Sequence, residues 1–167
     1  MSTKAFSSLI VIALVVLIGS QSFYIVKETE RAIKLQFGEL IDADVEPGID
    51  FKVPFVDVIK RFDARVLTLD TQPSRFLTSG KKYVIVDSYA KWRIKDVRAY
   101  YEASSGDRTR ATALLENLVN KGLRDEIAAR TLHEVVSGER DQLMTQLTAS
   151  LNLETQKELG IEVLDVR

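Results

Sequence analysis

"YVIVDSYAKWRIKDVRAYYEAS", residues 83–104, holds the point at which the chain changes its period. In its first half Val84, Val86, Ala90, Trp92 and Ile94 fall on one side of an extended chain, with Lys91 and Arg93 on the other. That two-residue alternation marks a half-buried strand. At Asp96 it stops. Asp is a favoured N-cap because its carboxylate accepts from backbone N–H groups that the first helical turn leaves unpaired, and "VRAYYEAS" follows as a short helix. Strand patterns precede this point; helical patterns and one last strand follow it. The order predicts an α+β domain, β-rich over 27–95 and helix-rich over 96–167.

Working upstream, Ile33, Leu35 and Phe37 alternate with Lys34 and Gln36, again a half-buried strand, until Gly38 and "DAD" break it. "VDVIKRFDARVLTLD" is rich in β-branched and aromatic residues and extends the strand region. Downstream, Asp107 starts a helix to about Arg130, on which Leu114, Leu115, Leu118, Val119, Leu123 and Ile127 form an apolar stripe. Glu126 and Arg130 are an i, i+4 pair on it. "TLHEVVSG" reads as a brief extended or turn segment. Ser137 then caps a third helix to Leu159, with Leu143, Leu147 and Leu151 on one face. These leucines are either core or a surface for packing another subunit. Gly160 ends the helix and "IEVLDVR" closes the domain as a strand.

"EPGIDFKVPF", residues 46–55, sets Ile49, Phe51, Val53 and Phe55 on one side of an extended segment after a Pro47-Gly48 turn. Pro54 has no N–H to donate, which restricts the segment to an edge or terminus. Such an apolar edge is an aggregation hazard unless covered. The expectation is that Phe51, Val53, Pro54 and Phe55 rest at a membrane interface, with Lys52 toward headgroups. The alternative is burial of both rings in the β-rich core.

A membrane is suggested by the N-terminus. After a four-residue tail (1–4), residues 5–26 carry no charge. As a helix these 22 residues reach about 33 Å, against a bilayer core of about 30 Å. An uncleaved anchor over 5–26 is one reading, with Phe23 and Tyr24 at the far interface. A cleaved signal peptide, cut near Ser20-Gln21-Ser22, is the other. Lys27, Arg31 and Lys34 follow the span and only Lys4 precedes it, so a positive-inside count places the following domain in the cytoplasm.

Composition narrows the function. The 167 residues carry a net charge of −1, without the basic excess of a nucleic-acid binder. There is no Cys, and His133 is the one His. With no second metal ligand or paired nucleophile, His133 supports no hydrolytic template and reads as a surface or packing residue. Asp42, Asp44 and Glu46 begin like a calcium loop, but Pro47 stands where its sharp turn requires Gly, and Val53 where the last ligand belongs. Lys91, Arg93, Lys95 and Arg98 surround Trp92; the plain reading is the solvent face of a strand that buries the indole. No catalytic, cofactor-binding or metal-ligating set emerges, nor a small-molecule substrate, which favours a binding or regulatory role.

Taken together, "YIVKETERAIKLQFGEL", "EPGIDFKVPFVDVIKRFDAR", "VDSYAKWRIKDVRAYY" and "LRDEIAARTLHEVVSGERDQLM" closely resemble the stomatin–prohibitin–flotillin–HflK/C family, also called SPFH or band 7. The resemblance runs from the anchor to Arg167, and the short segment before the anchor fits the HflC type of subunit rather than the HflK type. It implies a non-catalytic, membrane-anchored regulator that assembles with an HflK-like paralogue into a hetero-oligomeric ring or cage and limits substrate access to an FtsH-like membrane AAA protease. It implies a single pass through the bacterial inner membrane, with the N-terminus cytoplasmic and the main domain periplasmic, against the charge count. A stomatin-like lipid-microdomain scaffold, independent of the protease, is the alternative. Thr29 and Ala32 replace family glycines, and Asp50 stands where an aromatic or His is common. The family's C-terminal coiled coil is absent from this sequence.

Overall fold

The computed structural model describes residue 20, residues 22–136 and residues 140–167. Most of the expected anchor, residues 5–19 and 21, lies outside them, as does the Ser137 cap. Among the described residues no helix is long and apolar enough to cross a membrane. Residues 23–26, expected to finish the anchor, instead form a strand.

The chain divides into two compact units at Asp63/Ala64. This differs from the expected boundary at 95/96. The reason lies in the pairing of the later strands, which close a sheet with the C-terminal strand and pack with the helices.

The first unit contains β1 (Phe23–Val26), β2 (Glu30–Gln36), β3 (Glu39–Val45), β4 (Gly48–Phe51) and β5 (Asp57–Asp63). β2 is the centre of an antiparallel sheet in the order β3-β2-β5, and β1 pairs antiparallel with β4. Alternation decides which side is buried. Tyr24 and Val26 from β1 meet Ala32 from β2 and Val45 from β3, and Ile59 of β5 packs against them. Ile33 and Leu35 are buried as their spacing predicts. Phe37 is not: the strand ends at Gln36, Phe37 turns with φ 51°, and its ring is 85% exposed.

The second unit contains β6 (Leu67–Asp70), β7 (Ser74–Leu77), β8 (Tyr83–Val86), β9 (Tyr89–Ile94), α1 (Val97–Ser104), α2 (Arg108–Ala128), α3 (Leu132–Val136), α4 (Arg140–Leu159) and β10 (Ile161–Val166). β9 lies between β10 and β6, while β7 and β8 form a separate hairpin. The single strand expected over 84–94 is therefore two strands in different sheets. The break is at Ser88, which is buried and whose carbonyl accepts from the backbone N–H and hydroxyl of Thr71 at 3.1 and 2.7 Å. Ala90, Trp92 and Ile94 face inward as expected. The Trp92 indole N–H is buried without an acceptor among the described residues.

Local capping places the helices. The Asp96 carboxylate accepts from the N–H groups of Arg98 and Ala99 at 2.9 and 3.1 Å, and that of Asp107 from Thr109 at 2.8 Å. α2 buries Ala111, Leu115, Val119, Leu123 and Ile127, a strict i, i+4 row; Leu114 and Leu118 flank it, half-buried. Glu126 and Arg130 pair at 3.2 Å as predicted. "TLHEVV" forms a short helix, not an extended segment. Its signal is a capping box, Thr131-x-x-Glu134, in which the Glu134 carboxylate accepts from the Thr131 N–H at 2.7 Å and its hydroxyl at 2.9 Å.

Leu143, Leu147 and Leu151 on α4 are each 1% exposed. They form the core facing α2, so their assignment as subunit-packing residues is corrected. Gly122 on α2 makes the close approach possible: a Cβ there would lie 2.9 Å from Leu147 Cδ1 and 3.1 Å from Leu151 Cδ2. Gly160 then turns the chain with φ +64°, and β10 returns along β9.

Candidate membrane interface

The first unit exposes a concentration of large apolar side chains. Nine of the fifteen large apolar side chains exposed among the described residues precede Asp63, in the smaller unit. Soluble surfaces scatter such residues singly; clusters mark contact sites.

β1 and β4 supply the first cluster. Their register sets Phe23 opposite Phe51 and Ile25 opposite Ile49. These four side chains share the face opposite Tyr24 and Val26, and all are more than half exposed. The Phe23 and Phe51 rings meet edge to face, with centroids 6.0 Å apart. On the inner face, Tyr24 donates its hydroxyl proton to Asp50 at 2.9 Å. Burial, then that hydrogen bond, pushes the Tyr24 phenol up to about 12. Asp50 also accepts from the Phe51 N–H at 2.7 Å, the main cause of its lowered pKa. An aromatic at 50 would have no such bond to offer Tyr24.

The second cluster is a turn. Residues 53–57 are held by Asp57, whose side chain is 1% exposed. Its carboxylate accepts from the Val53 N–H at 2.8 Å, the Lys34 ammonium at 3.1 Å and the Gln36 amide at 3.4 Å. The Val53 N–H is the largest cause of its depressed pKa, with Lys34 and Gln36 adding to it against the cost of burial. The turn carries Phe55 at its tip with φ 70° and 94% exposed. The Phe37 N–H reaches the Val56 carbonyl at 3.4 Å, so the second left-handed, exposed phenylalanine stands beside the first. Bulky residues avoid this backbone region, and such strain concentrates at functional positions.

The sequence-predicted residues fall as follows. Phe51, Val53 and Phe55 are exposed, and Lys52 and Pro54 are half-buried. The alternative that both rings are core is overturned: Phe51 is 52% and Phe55 94% exposed, and every residue of β4 is exposed. Lys52 continues the β1–β4 ladder, its N–H donating to the Ser22 carbonyl at 2.8 Å. Sequence reasoning missed Phe23, Ile25 and Ile49 as partners of Phe51. The alternation of "FYIV" was visible but was absorbed into the anchor.

The other candidates carry less. His133 is exposed on α3. Asp44 is ion-paired with Arg31 on the neighbouring strand, and no cluster among the described residues is arranged to hold a metal. Arg93 and Lys95 both pair with Glu162 of β10, at 2.6 and 3.3 Å, so two of the four cations around Trp92 are engaged within the fold. A groove of about 760 Å³ runs between α4 and β10 past Asn152, Glu162 and Asp165. It follows an edge strand that is already blunted. A bulge interrupts β10 between Val163 and Asp165, and Asn152 accepts the Val163 N–H at 3.2 Å.

The profile of the SPFH domain / Band 7 family matches residues 24–167, every described element from the second residue of β1 onward. The chain belongs to the band 7 family. Among curated band 7 relatives, it is 41% identical to "Modulator of FtsH protease HflC" of Escherichia coli K12, over 89% of this chain and 46% of that protein. It is 43% identical to "Protein HflC" of Haemophilus influenzae, over 94% of this chain and 56% of the relative. For "Protein HflC" of Buchnera aphidicola from Schizaphis graminum the identity is 40%, over 94% and 58%. The chain thus spans about half the length of the curated relatives it matches. The band 7 assignment agrees with the α+β order expected from the sequence, a β-rich part followed by a helical one.

Proposed function

We propose that this chain is the membrane-side part of an HflC-like regulatory subunit, one that modulates an FtsH-type protease by limiting which substrates reach it. The observation that carries this is the 41% identity, along 89% of the chain, to the E. coli modulator of FtsH protease. In this reading the chain performs no chemistry; catalysis belongs to the protease. The uncharged stretch from residue 5 up to the start of β1 supplies a single-pass anchor in the bacterial inner membrane, with the N-terminus cytoplasmic and the two units periplasmic. An HflK-like paralogue is the partner in a hetero-oligomeric ring or cage.

The exposed faces of the first unit support the membrane side of the proposal. Phe23, Ile25, Ile49 and Phe51 on the β1–β4 face, with Phe37 and Phe55 at the turn, are suited to the headgroup boundary, where aromatic rings are favoured. Affinity purification of the full-length protein tests the regulatory reading. Both an HflK-like subunit and a membrane AAA protease are expected to co-purify, and a monodisperse protein free of both refutes it. A reporter fused after residue 100 reads the topology.

A second reading, a lipid-organising scaffold independent of the protease, is favoured by the same exposed apolar faces. It requires lipid-selective oligomers that persist when the protease gene is deleted; their disappearance excludes it.

A further inference from the structure

The second unit carries a polar cup that the regulatory reading does not use. It lies where β7 packs beside α2, encloses about 370 Å³, and is lined by Ser74, Arg75, Asn117, Asn120, Lys121 and Arg124, with Phe76 at its floor. Asn117, Asn120, Lys121 and Arg124 stand at i, i+3, i+4 and i+7 on α2, one polar row on a different face from the row buried against α4. The cup's volume falls at the small end of the roughly 300–1,000 Å³ range of small-molecule sites. No carboxylate lines it.

The cations are not equivalent. Lys121 is ion-paired with Glu154 at 2.8 Å, so its charge is already answered. Among the described residues, neither Arg75 nor Arg124 is in an ion pair. The Arg75 guanidinium lies over the Tyr83 ring, 5.2 Å from its centroid, an attraction that takes up its face and leaves its N–H edge free. Two unpaired guanidiniums and two carboxamides thus converge on one cup as hydrogen-bond donors. A carboxylate has two oxygens and one charge, enough for one fork. A phosphomonoester has three free oxygens and a charge of about −1.5 to −2, which suits two.

We propose that the cup between β7 and α2 binds a phosphomonoester group, carried by a small soluble molecule or by a lipid headgroup. The arginines Arg75 and Arg124 supply the charge, Asn117 and Asn120 fix orientation, and Lys121 contributes little.

The test uses the full chain in nanodiscs of zwitterionic lipid, titrated with inorganic phosphate, glycerol phosphate and acetate at constant ionic strength. A parallel arm replaces part of the lipid with phosphatidic acid. Saturable binding of a phosphate probe is expected, weakened about tenfold or more by Arg124→Gln or Arg75→Gln and less than about twofold by Lys121→Gln. Trp92 fluorescence reports that each variant is folded, and Asn120→Ala provides a second, charge-neutral variant expected to weaken binding. Saturation by glycerol phosphate assigns a soluble ligand; protection of the cup in phosphatidic acid discs alone assigns a lipid. No saturation by about 10 mM in either arm, equal binding of acetate, or equal loss in all three cation variants overturns the proposal.

Discussion

Replacing Gly160 with Ala tests how the helical part of the second unit is closed. Gly160 sits between α4 and β10 with φ +64°, and a Cβ there would lie 2.2 Å from the Asp96 carbonyl oxygen and 2.7 Å from the Tyr100 nitrogen. Those atoms are backbone, so no rotamer change relieves the contact. The Gly160 carbonyl also accepts from the N–H groups of Lys95 and Asp96, both at 3.0 Å, tying the turn to the start of α1. The left-handed conformation costs a non-glycine residue about 1–2 kcal/mol. Displacing the turn far enough to clear the clash loses both hydrogen bonds, about 1 kcal/mol each. The sum, about 3–4 kcal/mol, is a large share of the ~5–15 kcal/mol that holds a typical domain. Urea unfolding followed by the fluorescence of Trp92, which is fully buried in the same unit, measures it. At a typical slope the midpoint falls by about 2 M. Gly80→Ala is the control, with Thr78 Oγ1 4.0 Å away as its one neighbour, and is expected within ~0.5 kcal/mol of the parent. A midpoint shift under about 0.5 M for Gly160→Ala would refute the reasoning, since the backbone would then be free to yield.

Further outcomes are expected. Leu147→Ala, which empties a site that is 1% exposed, costs about 2–5 kcal/mol in the same unfolding assay; a stable variant that instead loses oligomerisation would restore the leucine row as a subunit surface. The pair Phe51→Asp and Phe55→Asp leaves residues 22–167 folded but lowers vesicle binding about a hundredfold, on the basis of ~1.5 kcal/mol or more per ring; loss of native circular dichroism would return the rings to the core. The Asp57 pKa is depressed in the folded state, so its contribution is present above the ordinary carboxylate range near 3.9 and is lost as pH falls through the lower folded value. Amide exchange at Val53 accelerates there, and Asp57→Asn removes that pH dependence. Tyr24 has the opposite sign: its pKa is raised to about 12, so its contribution is full below about 10 and is lost as pH rises through about 12. In Tyr24→Phe the alkaline step in first-unit stability disappears.

Much of the local structure was legible because its causes are local. Asp96 and Asp107 cap helices through their own carboxylates, Gly160 supplies a left-handed turn, and Glu126 meets Arg130 one turn away. The capping box of Thr131 and Glu134 was equally local, and reading "TLHEVVSG" as an extended or turn segment overlooked a helix signal that was present. The row of α2 was legible because period 3.6 buries one side of any helix that packs. The membrane candidates were half legible. The pattern identified an apolar segment around Phe51, but not that its partner is β1.

What the sequence by itself determined is the kind and order of elements and the family, since periodicity, caps and motifs are written in adjacent residues. Tertiary structure decided what each apolar face meets. The four-residue row of leucines on α4 and the two-residue alternation around Phe51 each mark an apolar face, and pattern alone does not say what covers either. Gly122 lets α2 approach Leu147 and Leu151 closely enough to bury them, while pairing with β1 leaves all four residues of β4 exposed, Phe51 on the side opposite the Asp50 that bonds Tyr24. Similarly, β9 left the β-rich part and joined the helices because β10, nearly 70 residues later, is its hydrogen-bonded neighbour. Burial and strand pairing are properties of contacts distant in sequence, so they become definite when the chain closes on itself.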